Sequence, residues 1–227
     1  MPDLSPLWLS LQTAGLATAL VLPPGVAAAW WLAHGPRIPG KGLLELLLAL
    51  PLVLPPTAVG YGLLLLLGHG TPVGRWLNDV AGVRLLFTWQ GAAVAASVMA
   101  LPLFTLTASA AFAAIDPEML EAGRVLGAGN AALARHVVVP LAYRGLLAGV
   151  TLAFARALGE FGATLMVAGS IPGRTRTLPL ALYAAVQTGK TQDAVSYTAI
   201  LSLTAFVLLA GVAAYRNRLT TARAGPR

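Results

Sequence analysis

Arg156 and Glu160 stand four residues apart in an otherwise uncharged run, a spacing that puts both on one face of a helix. A charge near the middle of a bilayer costs roughly 2.5–3.5 kcal/mol on insertion scales, so the pair must face a bundle interior, a partner subunit or water. Two readings are open. In one, Arg156, with Gly159 and Glu160, lines a polar route through the bundle, where the guanidinium would draw an anion. In the other, the pair fixes helix packing, since the adjacent carboxylate cancels the attraction that an anion needs. Arg174 and Arg176 are a second cationic pair, expected outside the membrane at a mouth. There they could attract an oxyanion, contact an acidic partner protein, or sit among water and lipid headgroups.

Other chemistry is excluded by residue type. Gly35 through Gly40-Lys41 matches most of a phosphate-binding loop, but Gly42 replaces the required hydroxyl residue and two prolines occupy the loop. Gly189-Lys190-Thr191 has the right ending, yet Ala184 stands where the first glycine must be. Neither can cradle a nucleotide. His34, His69 and His136 fall in or near separate connections and suggest neither a metal site nor a Ser-His pair. With no cysteine, disulfides and thiolate sites are impossible. No cofactor or metal is expected, and no reaction is expected in this chain.

One polar segment, residues 116–140, interrupts the apolar sequence. Asp116-Pro117-Glu118 has the form of a helix start, with Asp116 as N-cap, Pro117 at the first helical position and Glu118 favourable to the dipole. A helix Glu118–Leu126 is expected. Gly127 and Gly129 then let the chain turn or approach a partner, and a second short helix, about Asn130–Val138, leads to Pro140. Two short helices joined by glycines would make a compact knob, Glu118–His136, suited to a groove on another protein.

The elements around these residues follow from composition. Of 227 residues 57% are hydrophobic and 10% charged, too apolar for a soluble domain but suited to a lipid-facing one. Five membrane-spanning helices are expected, at about 8–33, 43–67, 87–111, 145–168 and 195–215. Together they form one all-α integral membrane domain, 1–227, with lipid as a partner. The first run lacks a basic start, carries Asp3 and exceeds a signal core in length, so it is expected to stay as a span. Pro23-Pro24, Pro51, Pro55-Pro56 and Pro102 lie within or near spans, where membrane helices tolerate kinks. The uncharged run Thr177–Gly189 is too short to cross and reads as an interfacial or re-entrant helix on the outer side. Gly145, Gly149, Ala153 and Ala157 form a small-residue stripe for close packing, within the subunit or across a dimer.

The formal charge of +7 does not imply nucleic acid, because the basic residues sit in short segments between long uncharged runs. They set topology instead. Arg37, Lys41, Arg124, Arg135, Arg144, Arg216, Arg218, Arg223 and Arg227 fall on one side; Arg75, Arg84, Arg174, Arg176 and Lys190 fall on the other. The richer side belongs inside, giving an outer N-terminus, a cytoplasmic C-terminus and a cytoplasmic knob.

Glu121-Ala122-Gly123, then Gly127 four residues later, then Val137-Val138-Val139-Pro140 resembles the coupling segment of ATP-binding cassette importer permeases. In that segment Glu-Ala-Ala, a later Gly and a hydrophobic-Pro ending recur. The resemblance implies a type I importer permease fold and assigns ATPase coupling to Glu121, Ala122, Gly123, Arg124, Leu126, Gly127 and Pro140. The sequence departs from the pattern at Gly123 (usually Ala), at Val139 (often Leu), and at Leu133 or Ala134, where an aromatic is common. Phe154–Thr164, Ala168–Pro179 and Leu50–Pro56 with Gly60-Tyr61 resemble the molybdate branch of oxyanion importer permeases, and the likeness runs from about Trp8 to Tyr215. It implies an inner-membrane homodimer, fed by an extracytoplasmic molybdate-binding protein and driven by separate cytoplasmic ATPase subunits. Sulfate or tungstate permeases remain alternatives. So does an ion-gradient-driven secondary transporter, against which stand the absence of a clear repeat and a single deep acid, Glu160. A membrane scaffold without transport is a third.

Overall fold

The computed structural model describes residues 3–35 and 41–221. Of the topology residues named above, Arg37, Arg223 and Arg227 lie outside them. Along the chain run α1 (Ser5–His34), α2 (Lys41–Val53), α3 (Pro56–Leu67), α4 (Pro72–Arg75), α5 (Trp89–Ala113), α6 (Pro117–Val125), α7 (Asn130–Leu133), α8 (Val139–Leu158), α9 (Gly162–Ala168), α10 (Leu178–Gln187) and α11 (Thr191–Thr221). Single π turns, Trp76–Val80 and Ala134–Val138, follow α4 and α7. There are no strands among the described residues, as the all-α expectation requires.

Helices α1, α5 and α8 pack on one another and hold the main core. Small residues let them close. The ring of Phe104 on α5 is fully buried. A Cβ at Gly25 of α1 would lie 2.5 Å from its Cδ1, and one at Gly149 of α8 would lie 3.2 Å from its Cδ2. One aromatic ring therefore fills the notches of two helices, replacing hydrophobic driving force with close contact, as membrane packing demands. Gly145 meets the Ala111 side chain in the same way, and Ala153 and Ala157 are buried in this core. The small-residue stripe thus packs within the subunit. A second, smaller core joins α3, α5 and α9 through Leu67, Ala95, Met99, Ala163 and Val167.

Three of the expected spans are single helices. Segments 8–33, 87–111 and 195–215 correspond to α1, α5 and α11, all long and apolar enough to cross a membrane. The other two are broken. The expected span 43–67 is α2 and α3, bent by 111°. Pro55 cannot donate a helical hydrogen bond and disfavours a helical Leu54, and Pro55 is itself extended at φ −54°, ψ 132°. The expected span 145–168 stops at Leu158 and restarts at Gly162 as α9. Its lost length is recovered at the other end. Asn130–Leu158 is one 29-residue apolar helix, so the short second helix expected at Asn130–Val138 is instead the beginning of this span. Pro140 does not stop it, because the preceding turn widens: the Val139 N–H bonds to the Ala134 carbonyl, a π turn that absorbs the geometry proline forbids.

The two ends of the bundle are distinct. At one end Trp30 and His34 of α1 stack at 4.3 Å, and Trp30 meets Phe112 of α5 edge-on at 5.4 Å. Ile115, just before α6, and Leu120 within it join the same cluster. At the opposite end the buried Ser10 Oγ near the start of α1 accepts from the Leu178 N–H of α10 at 2.7 Å. The segment Thr177–Gly189 accordingly forms α10, whose first residues are buried rather than lying flat on a surface.

Candidate functional site

Helix α6 is short and sharply bounded. The Asp116 carboxylate accepts from the Glu118 N–H at 3.0 Å and Pro117 occupies the first turn, a cap worth roughly 1 kcal/mol. The far end closes on Gly127, whose φ of +80° only glycine adopts without strain. The Gly127 N–H donates to the Arg124 carbonyl at 2.9 Å and the Ala128 N–H to the Gly123 carbonyl at 3.0 Å, which is the paired closure of a Schellman motif. The helix spans Pro117–Val125, one residue earlier at each end than expected.

Two contacts tie it to the bundle. Leu120 is the buried residue of α6 and inserts into the main core. A Cβ at Gly123 would lie 2.5 Å from Cδ2 of the buried Leu133. Gly123, in the place where alanine was expected, is therefore what seats α6 on α7. The opposite face is unpartnered: Glu121, Ala122 and Arg124 are exposed, and Val125 and Leu126 are 88% and 87% exposed. Two aliphatic side chains are thus fully displayed at the tip of a polar helix. Acids in its first turns and Arg124 in its last complement the helix dipole. Of the residues assigned to coupling, Glu121 through Gly127 share this element. Pro140 does not, being an exposed residue in the first turn of α8.

Arg156 and Glu160 do meet, but not on one continuous helix. Glu160 lies in the break beyond α8, where Gly159 caps the helix. Arg156 Nη1 and Glu160 Oε2 are 2.6 Å apart, with the arginine side chain 26% exposed and the glutamate 1%. The other carboxylate oxygen, Oε1, accepts from the Ala163 N–H at 2.7 Å, capping α9. Glu160 therefore satisfies a backbone donor that the break would otherwise orphan within an apolar region.

The two breaks abut. A Cβ at Gly162 would lie 3.0 Å from Pro56 Cβ and 3.1 Å from the Thr57 nitrogen, and one at Gly60 would lie 2.7 Å from Ala163 Cα. The starts of α3 and α9 are thus pressed backbone to backbone. Gly60, Gly162 and Ala163 lie in stretches that carry the family resemblance, but neither they nor Thr57 was given a site role from the sequence. The signal was there in the pairing of a Pro-interrupted apolar run with a Gly-interrupted one, the pattern of discontinuous membrane helices.

Beyond α9 the loop is tightly tied. The Ile171 carbonyl accepts from the N–H groups of Arg174, Thr175 and Arg176, while the buried Thr175 Oγ1 accepts from the Ile171 N–H at 3.0 Å. Arg176 folds back onto Ser170, donating from Nε to Oγ and from Nη2 to the carbonyl, both at 3.1 Å. Arg174 is exposed. The two arginines therefore differ, one committed to the loop and the other displayed.

Helices long and apolar enough to cross a membrane, two of the expected spans broken, and a short capped helix displayed at one end make this an all-α integral membrane protein. The chain belongs to the family described as binding-protein-dependent transport system inner membrane component, whose model matches residues 25–219. It is a multi-pass inner-membrane protein of this family. It is 38% identical to the molybdenum transport system permease protein ModB of Escherichia coli (strain K12), over 99% of this chain and 97% of that one. To the putative molybdenum transport system permease protein YvgM of Bacillus subtilis (strain 168) it is 41% identical, over 90% of each chain. Among solved structures it resembles a bacterial ABC transporter involved in the import of the acidic polysaccharide alginate, with a TM-score of 0.75, 15% identity and coverage of 96% and 79%. An amino acid ABC transporter superposes with a TM-score of 0.63, 18% identity and coverage of 95% and 92%. The fold is that of an ABC importer permease.

Proposed function

We propose that this chain is the permease subunit of an ATP-driven, binding-protein-dependent molybdate importer and that it performs no chemical step itself. The substrate follows from the names of relatives that match it from end to end. The mechanical reading is carried by one observation, the display of Val125 and Leu126 on a helix anchored through Leu120 and the Gly123–Leu133 contact. Such a helix transmits force in both directions: a partner that grips the tip moves α7 and hence α8, with which α7 is continuous. A cytoplasmic ATPase seats on Glu121 through Gly127, and its closure rocks the bundle between inward-open and outward-open states. The second copy completes the pathway. Helix α11, which packs on α10 and α8 but buries none of its apolar window, and α2, which has no buried residue, supply surface for lipid and for that copy. The N-terminus lies outside and α6 inside, by the distribution of arginine and lysine. Within the pathway the Arg156–Glu160 pair is a structural clamp on the α8–α9 break, and Arg174 rather than Arg176 faces incoming ligand. The test is uptake of labelled molybdate by proteoliposomes holding the chain with its ATPase and binding protein. ATP-dependent uptake that excess sulfate fails to inhibit is expected. Equal competition by sulfate refutes the molybdate assignment, and uptake without ATP refutes the importer.

A further inference from the structure

At the end of the bundle opposite α6, an open pocket of about 370 Å³ is lined by Leu67, His69, Asn78, Arg84, Leu86 and Phe87. It lies where α3 ends, the π turn after α4 passes over, and the chain enters α5. Its two halves differ in chemistry. Leu67, Leu86 and Phe87 are apolar, whereas Arg84, His69 and Asn78 bring hydrogen-bond donors to the same space. Among the described residues Arg84 and His69 have no ion pair and no hydrogen bond. Asp79, next to Asn78, is not part of the lining. Asn78 spends one amide N–H on the Gly74 carbonyl at 2.6 Å, which fixes the amide and leaves its second N–H available. Phe87 is the one non-glycine residue with positive φ (+59°) among those described. Its N–H is bonded to the Val167 carbonyl at 3.0 Å, and its ring is left 55% exposed. A strained backbone that holds a large apolar ring in the open, beside an unpaired guanidinium, has the form of a binding site rather than of a core.

We propose that this pocket binds a phosphate-like tetrahedral oxyanion group, held by Arg84, His69 and Asn78. The planar guanidinium fork donates to two oxygens of such a group, which a solvated surface lysine would not do with the same geometry. Two sources offer this chemistry, a phospholipid headgroup and a free oxyanion. The apolar half and the size of the pocket favour the headgroup, whose glyceryl and upper acyl carbons would lie against Leu67, Leu86 and Phe87. That the pocket faces outward rests on the topology proposed above; its ligand does not.

The experiment uses the full chain in nanodiscs and reads thermal unfolding, so it is independent of transport. Phosphatidylglycerol added to a phosphatidylcholine disc is expected to stabilise the native chain. Arg84→Gln and His69→Gln should each weaken that response about tenfold or more in lipid concentration. Arg75→Gln, an exposed arginine outside the pocket, should leave it unchanged. In a second arm, inorganic phosphate or molybdate is titrated into phosphatidylcholine discs; stabilisation lost in Arg84→Gln identifies a free oxyanion instead. Responses of Arg84→Gln and His69→Gln equal to the native chain in both arms overturn the proposal, as does an equal loss in Arg75→Gln.

Discussion

Glu160 spends both carboxylate oxygens on the fold, one on Arg156 and one on the first turn of α9. The two uses can be separated. Glu160→Ala removes both and should lower stability by about 3 kcal/mol, the low end for breaking a buried pair, because Arg156 is partly exposed. Glu160→Gln keeps an acceptor for the Ala163 N–H and should cost about half as much. Thermal unfolding in detergent measures both. If Arg156 instead drew anions, Glu160→Gln would speed uptake, and that outcome would reverse the assignment. Gly123 offers a second test at this scale. Gly123→Ala, although it restores the commoner family residue, should displace the Leu133 side chain and reduce ATP-coupled uptake, with a stability change below about 1 kcal/mol because alanine favours the helix. Adding Leu133→Ala should recover coupling, since the clash is with a side chain alone. No recovery would mean that Gly123 matters for another reason.

Among the elements, the meeting of the two interrupted spans is the least replaceable contact. Gly60 faces the Ala163 backbone, which cannot rotate away as Leu133 can. Gly60→Leu should therefore separate α3 from α9, unfolding at lower temperature and losing uptake, while Gly62→Leu, in open space on the same helix, should be neutral. Similar stability for the two variants would show that the interlock is dispensable. Helix α6 was legible beforehand because its boundaries are local: Asp116, Pro117 and Gly127 each act within a turn of where they stand. The break after Leu158 was not. It depends on Glu160 reaching Ala163 and on Gly162 touching Pro56 and Thr57, residues about a hundred positions away. Within 145–168 the interruption at Gly159 and Gly162 hints at a break but does not say that the chain stops and restarts there.

For the molecule as a whole, α6 and the 169–177 loop lie at opposite ends of the bundle, so they must label from opposite sides of a membrane. The absence of native cysteine makes any introduced thiol unique. Asn130→Cys should react with an impermeant maleimide only when the cytoplasmic face is open, and Gly173→Cys only from outside. Reversal would invert the orientation, and with it the seat of the ATPase. Reaction of both from one side would contradict the fold.

What composition decided was solvent and architecture: with so few charges, the backbone must satisfy its own hydrogen bonds as helices in lipid. Local residue chemistry decided the capped helix, its glycine closure and the charge bias along the chain. Contacts between distant segments decided the rest. Phe104 filling notches in α1 and α8, α3 pressed on α9, and Glu160 bridging a gap in its own span are steric and electrostatic fits. They arise only when helices far apart in the chain share a few ångströms of space.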